Sequence, residues 1–138
     1  MFPDERRLEA LVRDARRIAV VGLSPRPERP SHQVARDLQR VGFTIVPVNP
    51  CGGVILGEPV YPNLETAAAA AGPIDLVDVF RRSEFVPELL PVLLQIRPPL
   101  VWLQDGIRHE EVARRLESAG IVVVMDRCLS EFSMRLGV

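Results

Sequence analysis

The feature that constrains this chain most is an uninterrupted apolar segment, residues 18–21, that ends at Gly22. Such a run, rich in β-branched residues, predicts a strand buried on both faces, which is typical of parallel sheets. Gly22 then allows a sharp turn and lets a ligand approach the backbone closely. After a polar, proline-stiffened loop at 24–30, Ser31 is predicted to cap a helix with apolar residues at helical spacing: Val34, Ala35, Leu38 and Val41.

A strand, a glycine turn, a loop and a helix N-terminus together form a site suited to an anion. Free backbone N–H groups and the positive end of the helix dipole both attract negative charge. The loop adds two cationic side chains, Arg26 and Arg29. This unit occurs in nucleotide-binding folds of the doubly wound type, so the sequence predicts a phosphate-bearing ligand beside the first strand.

Five β-rich apolar runs alternate with helical segments along the chain. We number them strands one to five, at 18–21, 43–48, 76–80, 100–103 and 121–125. Their alternation predicts an α/β fold with a Rossmann-like, doubly wound parallel sheet in three α/β/α layers. We expect the strand order 3-2-1-4-5, with the ligand crevice at the carboxyl ends of the strands beside strand one.

The helices between these strands are predicted from apolar periodicity and from glycine and proline stops. They are expected at 4–15, 31–41, 64–71, 83–96 and 110–119. Pro91 is expected to kink or split the fourth of them. The sequence makes no prediction for the course of 129–138.

Length and charge narrow the function classes. With 138 residues, 47% of them apolar and 25% charged, the chain is expected to form one globular domain, 1–138. A net charge of −1 gives no support for a nucleic-acid or anionic-membrane surface, and no apolar run approaches the roughly 20 residues that span a bilayer. Cys51 and Cys128 fit a reducing compartment better than a disulfide scaffold. We therefore expect a soluble cytoplasmic protein.

A nicotinamide dinucleotide site is disfavoured by two departures from its pattern. The fingerprint G-x-G-x-x-G requires glycines where this chain has Ser24 and Pro27. It also requires a carboxylate at the end of strand two, where Asn49 stands. An NAD(P)-type nucleotide-binding domain stays open as an alternative, because the fold is shared.

Catalytic and metal sites find little support in the residues present. A serine-hydrolase elbow, G-x-S-x-G, requires glycine where Arg26 follows Ser24, and nothing fixes His109 as its base. The histidines and cysteines stand in no ligand spacing. We expect His109 to be exposed near a helix start and His32 to lie in the first turn of a helix, and we assign no catalytic residue and no metal ligand.

Polar residues follow the strands at the edge where this fold binds ligands. Any one of them is also explained as a helix cap or a solvated loop residue. Together with Gly22, the arginines at positions 26, 29 and 81 suggest a ligand with several phosphates. Phe80 either covers an adenine or pantetheine group or packs half-buried in the core. The strand-exit residues are Ser24, Asn49, Arg81, Gln104 and Asp105.

Five segments also carry a family resemblance: VVGLSPRPERPSHQVARDL, IVPVNP, DLVDVFRRSE, VWLQDGI and VVVMDRC. In these segments the chain resembles the small stand-alone coenzyme A-binding proteins, which are related to the coenzyme A-binding domain of the succinyl-CoA synthetase α subunit. The resemblance covers residues 17–128, and the patterns G-x-S-x-x-P-x-R-P and P-V-N-P are fairly specific in combination.

The resemblance implies a Rossmann-like sheet that binds coenzyme A or an acyl-CoA across the strand ends. It implies phosphate contacts from the stretch Gly22 to Arg26, which includes Ser24 and Pro25, a nucleotide side at Asn49 and Pro50, and further contacts from Phe80, Arg81, Gln104, Asp105 and Gly106. Arg29 is a predicted contact on its charge and its place in the loop alone. The synthetase has a second domain with a phosphorylated histidine, and this chain ends before such a domain. We therefore expect binding without catalysis, with a protein partner left open.

Two further hypotheses remain at this stage. The chain is either a ligand-binding domain or, alternatively, an interaction module that has lost ligand binding. Cys128, just past strand five, either forms a mixed disulfide with coenzyme A or packs as a small apolar residue at the sheet end.

Overall fold

A five-stranded, all-parallel sheet forms the centre of the structure, a computed structural model that describes residues 4–137. Its strands pair in the order β2-β1-β5-β6-β7, and β3 and β4 form a separate antiparallel ribbon. The strands are β1 (Arg17–Val21), β2 (Thr44–Val48), β3 (Val54–Ile55), β4 (Glu58–Pro59), β5 (Leu76–Val79), β6 (Leu100–Leu103) and β7 (Val122–Val124).

Helices cover both faces of this sheet and give the expected three layers. They are α1 (Glu5–Asp14), α2 (Pro30–Arg40), α3 (Leu64–Ala71), α4 (Leu90–Ile96), α5 (Glu110–Ser118) and α6 (Leu129–Leu136), with a 3-10 segment (Ser83–Leu89) before α4. Apolar residues of α1, α2 and α6 share one core with the sheet, and those of α3, α4 and α5 share the other. We call these two sides the α2 face and the α3 face.

The strands form because their side chains are buried on both faces. In β1, Ile18 and Val20 pack on the α2 face, whereas Ala19 and Val21 pack on the α3 face. An apolar run without alternation is the pattern that this double burial requires. The predicted α/β, doubly wound parallel sheet is confirmed.

The predicted strand order needs one correction in its assignment. Tyr61 forms a single parallel bridge with Val48 of the edge strand β2. When the bridge at Tyr61 is counted as the third strand along the chain, the arrangement 3-2-1-4-5 is present. The run 76–80, expected at that edge, is instead an inner strand, β5, between β1 and β6. Tyr61 lies between Pro59 and Pro62, which lack the N–H groups that a longer strand needs, so no periodic pattern reveals the edge position.

This order places the ligand crevice. From β1 the chain crosses through α2 to β2 on one side, and from β2 it crosses through α3 to β5 on the other side of β1. The two crossover helices therefore leave a gap above the carboxyl ends of β1 and β5. In doubly wound folds ligands bind at such a switch point.

The start of α2 differs from the expectation. Ser31 is not the cap of α2, because the helix begins at Pro30, whose missing N–H suits the first helical position, and Arg29 occupies the cap position. The segment 83–96 is split into the 3-10 segment and α4, as one of the two expected outcomes, and Pro91 is the second residue of α4. Residues 129–136 form α6, which packs through Leu129 and Phe132.

Within residues 4–137, no helix is both long and apolar enough to cross a membrane.

Candidate functional site

The turn after β1 requires glycine for two reasons. Gly22 has a φ of 85°, in the region that favours glycine. A Cβ atom at Gly22 would also collide with the backbone carbonyl oxygen of Phe80. The two strand ends lie this close because the Phe80 N–H donates to the Val21 carbonyl over 2.8 Å.

The loop after Gly22 is held by the first turn of α2. The Ser24 N–H donates to Ser31 Oγ at 3.0 Å, and His32 Nδ1 lies 2.9 Å from the Ser24 carbonyl oxygen. The Arg26 N–H donates to Ser24 Oγ at 3.1 Å. Ser31 and His32 are both buried, so their roles are to fix the loop on the helix. Sequence patterns placed both residues at the helix start but did not reveal these contacts.

An open cleft of about 370 Å³ lies between this loop, the start of α2 and the end of β5. Six of the twelve predicted contact residues line it, and the structure adds Pro30 and Ser31. The six are Gly22, Ser24, Pro25, Arg26, Arg29 and Phe80. The cleft therefore lies at the predicted place, and its binding role stays a prediction.

The cleft is electrostatically suited to an anion. Arg26 and Arg29 are exposed, and neither has a carboxylate within 4.0 Å among residues 4–137. The first turn of α2 has no acidic residue and its cap makes no side-chain hydrogen bond, whereas α1, α3, α5 and α6 each have a glutamate in the first turn. The positive end of the α2 dipole is thus uncompensated at the cleft.

Backbone N–H groups contribute less to the cleft than the sequence suggested. The N–H of Gly22 donates to the Val48 carbonyl at 2.9 Å, and those of Ser24 and Arg26 are taken by hydroxyls. The prolines of the loop have no N–H to offer. Attraction for an anion therefore depends here on the arginine side chains and the end of α2.

Of the two predicted nucleotide-side residues, Asn49 braces the cleft from outside. Asn49 Nδ2 donates to the Leu23 carbonyl at 2.8 Å, and Asn49 Oδ1 accepts the Cys51 N–H at 2.9 Å. Asn49 thus joins the end of β2 to the loop that follows β1. Pro50 is exposed and does not line the cleft.

Two other groups of predicted contacts also lie outside the cleft. Arg81 forms a salt bridge with Glu88 at 3.3 Å and lies over the Phe85 ring, 5.5 Å from its centroid. Asp105 and Gly106 occupy an exposed loop, in which the Gly106 N–H donates to Asp126 Oδ1 at 2.6 Å. None of these three residues lines the cleft that contains Arg26 and Arg29.

Gln104, also predicted, is buried and pairs with a residue that the sequence analysis missed. Its Nε2 donates to Asp78 Oδ1 at 2.7 Å. Burial raises the pKa of Asp78 to about 8, although the hydrogen bond from Gln104 lowers it in part. The available signal was a single carboxyl inside the apolar run 76–80.

His109 and Cys128 both stand at helix starts. His109 is half-buried at the cap of α5, where Nδ1 accepts the Val112 N–H at 3.3 Å. The expectation of an exposed His109 is therefore wrong, because the capping bond holds the ring against the helix. Cys128 is half-buried at the cap position of α6, with Sγ 3.3 Å from Ser130 Oγ.

Comparisons with known proteins agree over nearly the whole chain. A family model described as CoA binding domain matches residues 16–131. Protein YneT of Bacillus subtilis, described as uncharacterized, is 39% identical over 127 residues, which cover 92% of each chain. A solved structure from Thermus thermophilus has a TM-score of 0.90 at 41% identity, covering 97% of this chain and 99% of that one. A hypothetical protein from Pyrococcus horikoshii has a TM-score of 0.89 at 26% identity, covering 99% and 94%.

Proposed function

The chain belongs to the CoA-binding domain family, and from that premise we propose that it binds coenzyme A or an acyl-CoA at the carboxyl ends of its strands, without chemistry of its own. The observation that carries the proposal is the cleft beside Gly22. Its two arginines, which pair with no carboxylate among residues 4–137, and the N-terminal end of α2 match the phosphates of such a ligand.

The remainder of the ligand is proposed to follow the row of strand ends. Gly22, Phe80 and Gln104 come directly after β1, β5 and β6, which are neighbours in the sheet. Phe80 is half-buried and lines the cleft, so it offers an apolar surface for an adenine or a pantetheine group. This path continues from the arginines toward β6.

Titration calorimetry with coenzyme A, acetyl-CoA, NAD and NADP tests the proposal. We expect heat of binding with coenzyme A or acetyl-CoA and none with the dinucleotides. At 100 times its dissociation constant the ligand adds about 2.7 kcal/mol to the free energy of unfolding, which a denaturant titration measures independently. Binding of NAD alone would support the dinucleotide alternative, and no stabilisation by any nucleotide would support an interaction module.

Removal of a loop arginine is expected to weaken binding. Arg26→Ala should cost about 1.5–3 kcal/mol of coenzyme A binding, the range for hydrogen bonds to charged groups. Arg29→Ala is expected to act in the same direction, and dephospho-coenzyme A should bind more weakly if either arginine meets the 3′-phosphate. The matched control is Arg40→Ala at the opposite end of α2. Unchanged affinity in both loop variants would make these arginines solvated surface.

The mixed-disulfide hypothesis for Cys128 stays a prediction with a direct test. On incubation with coenzyme A disulfide, the Cys128 thiolate would attack one sulfur, form a new disulfide and release coenzyme A thiol. Mass spectrometry should then find the adduct on Cys128 and lose it in Cys128→Ser. Cys51, which is exposed, serves as the internal comparison, since labelling there alone would favour the packing alternative.

A further inference from the structure

A buried polar pair lies at the carboxyl edge of the sheet, one strand away from the cleft. Val79 of β5 pairs with Leu103 of β6, so Phe80 and Gln104 leave the sheet side by side. Gln104 is buried, and its Nε2 donates to Asp78 Oδ1 at 2.7 Å. Because side chains alternate along a strand, Asp78, Phe80 and Gln104 all project toward the α2 face.

Stability does not explain a carboxyl at position 78. Asp78 is fully buried, its Oδ2 has no hydrogen-bond partner within residues 4–137, and no cationic side chain of that range lies within 4.0 Å of it. An unsatisfied buried polar atom costs free energy. Its strand neighbours are Val20 and Trp102, so an aliphatic residue would suit both the strand and the core. A local choice that opposes stability points to function.

We propose that Asp78 is a positioning residue for the ligand: it holds Nε2 of Gln104 and leaves Oε1, a hydrogen-bond acceptor, for an N–H group of the ligand. This inference rests on the proposed function. No hydrogen bond to Oε1 of Gln104 occurs among the described residues, so the acceptor is available. Coenzyme A has N–H donors in the two amides of its pantetheine arm and in the adenine amino group, and we assign the amides to Oε1 because the adenine belongs to the nucleotide end. The phosphates belong to the nucleotide end, at the arginine loop.

Because the pantetheine arm and the nucleotide end are assigned to different residues, a test can distinguish the loss of one contact from a general loss of structure. Titration calorimetry compares coenzyme A with adenosine 3′,5′-bisphosphate, which has the nucleotide end but no pantetheine arm. In Asp78→Val the dissociation constant of coenzyme A should rise roughly two- to tenfold, the worth of one hydrogen bond, and that of the bisphosphate should stay the same.

Two further variants separate positioning from contact. Asp78→Asn keeps an acceptor oxygen for Nε2, so it should bind coenzyme A like the unaltered protein. Gln104→Leu should lose as much affinity for coenzyme A as Asp78→Val. The double variant should lose no more than either single variant, because both changes remove the same contact.

Asp75→Ala is the matched control. Asp75 lies at the opposite end of β5, where its carboxylate accepts the N–H groups of Arg16 and Arg17 at 2.8 and 2.9 Å. Its removal should lower stability and leave the affinity for coenzyme A unchanged.

The contrary outcomes are distinct. Asp78→Ala takes the place of Asp78→Val if the valine variant does not fold. Unchanged coenzyme A affinity in the folded variant, or equal losses for both ligands, would overturn the role of Asp78. No coenzyme A binding by the unaltered protein would refute the proposed function itself, and the role of Asp78 with it.

Discussion

Gly22→Ala is expected to lower the free energy of unfolding by about 3 kcal/mol. An alanine at a φ of 85° costs about 1–2 kcal/mol in backbone conformation. The added Cβ must also displace the carbonyl of Phe80, which belongs to the neighbouring strand end and is not a flexible side chain. Overpacking of this kind adds about 1–3 kcal/mol. Urea unfolding followed by circular dichroism measures the sum.

Comparison with Gly120→Ala separates the cost of the Cβ collision from the cost of the backbone conformation. Gly120 has a φ of 87°, but a Cβ there meets no atom of the described residues within 4 Å. Its substitution should therefore cost only the conformational part, about 1–2 kcal/mol. Equal losses in the two variants would contradict the close approach of the β1 and β5 ends. Gly22 and Phe80, at these two strand ends, both line the cleft.

The sheet was predictable because its chemistry is local. A strand covered by helices on both faces is expected to be mostly apolar, and each of the five runs met that condition, with Asp78 the one carboxyl among them. The edge position at Tyr61 was not predictable, since a single bridge between two prolines has no period. The helix α6 was missed for a related reason. Its apolar residues pack on the α2 face in the folded protein, but the segment is too short for its own periodicity to distinguish a helix from a loop.

The candidate site was predictable where it follows directly from strand, glycine and helix start. Arg26 and Arg29 lie on that one local unit, and the structure keeps them together. Arg81 follows β5 as expected, but the chain returns through the 3-10 segment and brings Glu88 to its guanidinium. The Asp78–Gln104 pair joins residues 26 positions apart, and only the pairing of β5 with β6 brings them into contact.

Asp78→Asn is expected to change how stability depends on pH. Burial raises the pKa of Asp78 from 3.8 to about 8 in the folded protein. Between these pH values the folded state holds a proton that the unfolded chain has released, so raising the pH favours unfolding. This group alone should remove ~1.4 kcal/mol of stability per pH unit across that window, about 6 kcal/mol in all. Asparagine does not ionise and should lack this loss.

The measurement is the difference in unfolding free energy between Asp78→Asn and the unaltered protein, from urea titrations between pH 4 and pH 9. All other titrating groups are common to both proteins, so their contributions cancel in the difference. The variant should gain stability relative to the unaltered protein as the pH rises, with the difference levelling off above pH 8. A constant difference across the range would contradict the raised pKa. Because Asp78→Asn should also retain coenzyme A affinity, its stability change would separate the cost of burying a carboxyl from the use of its oxygen in holding Gln104.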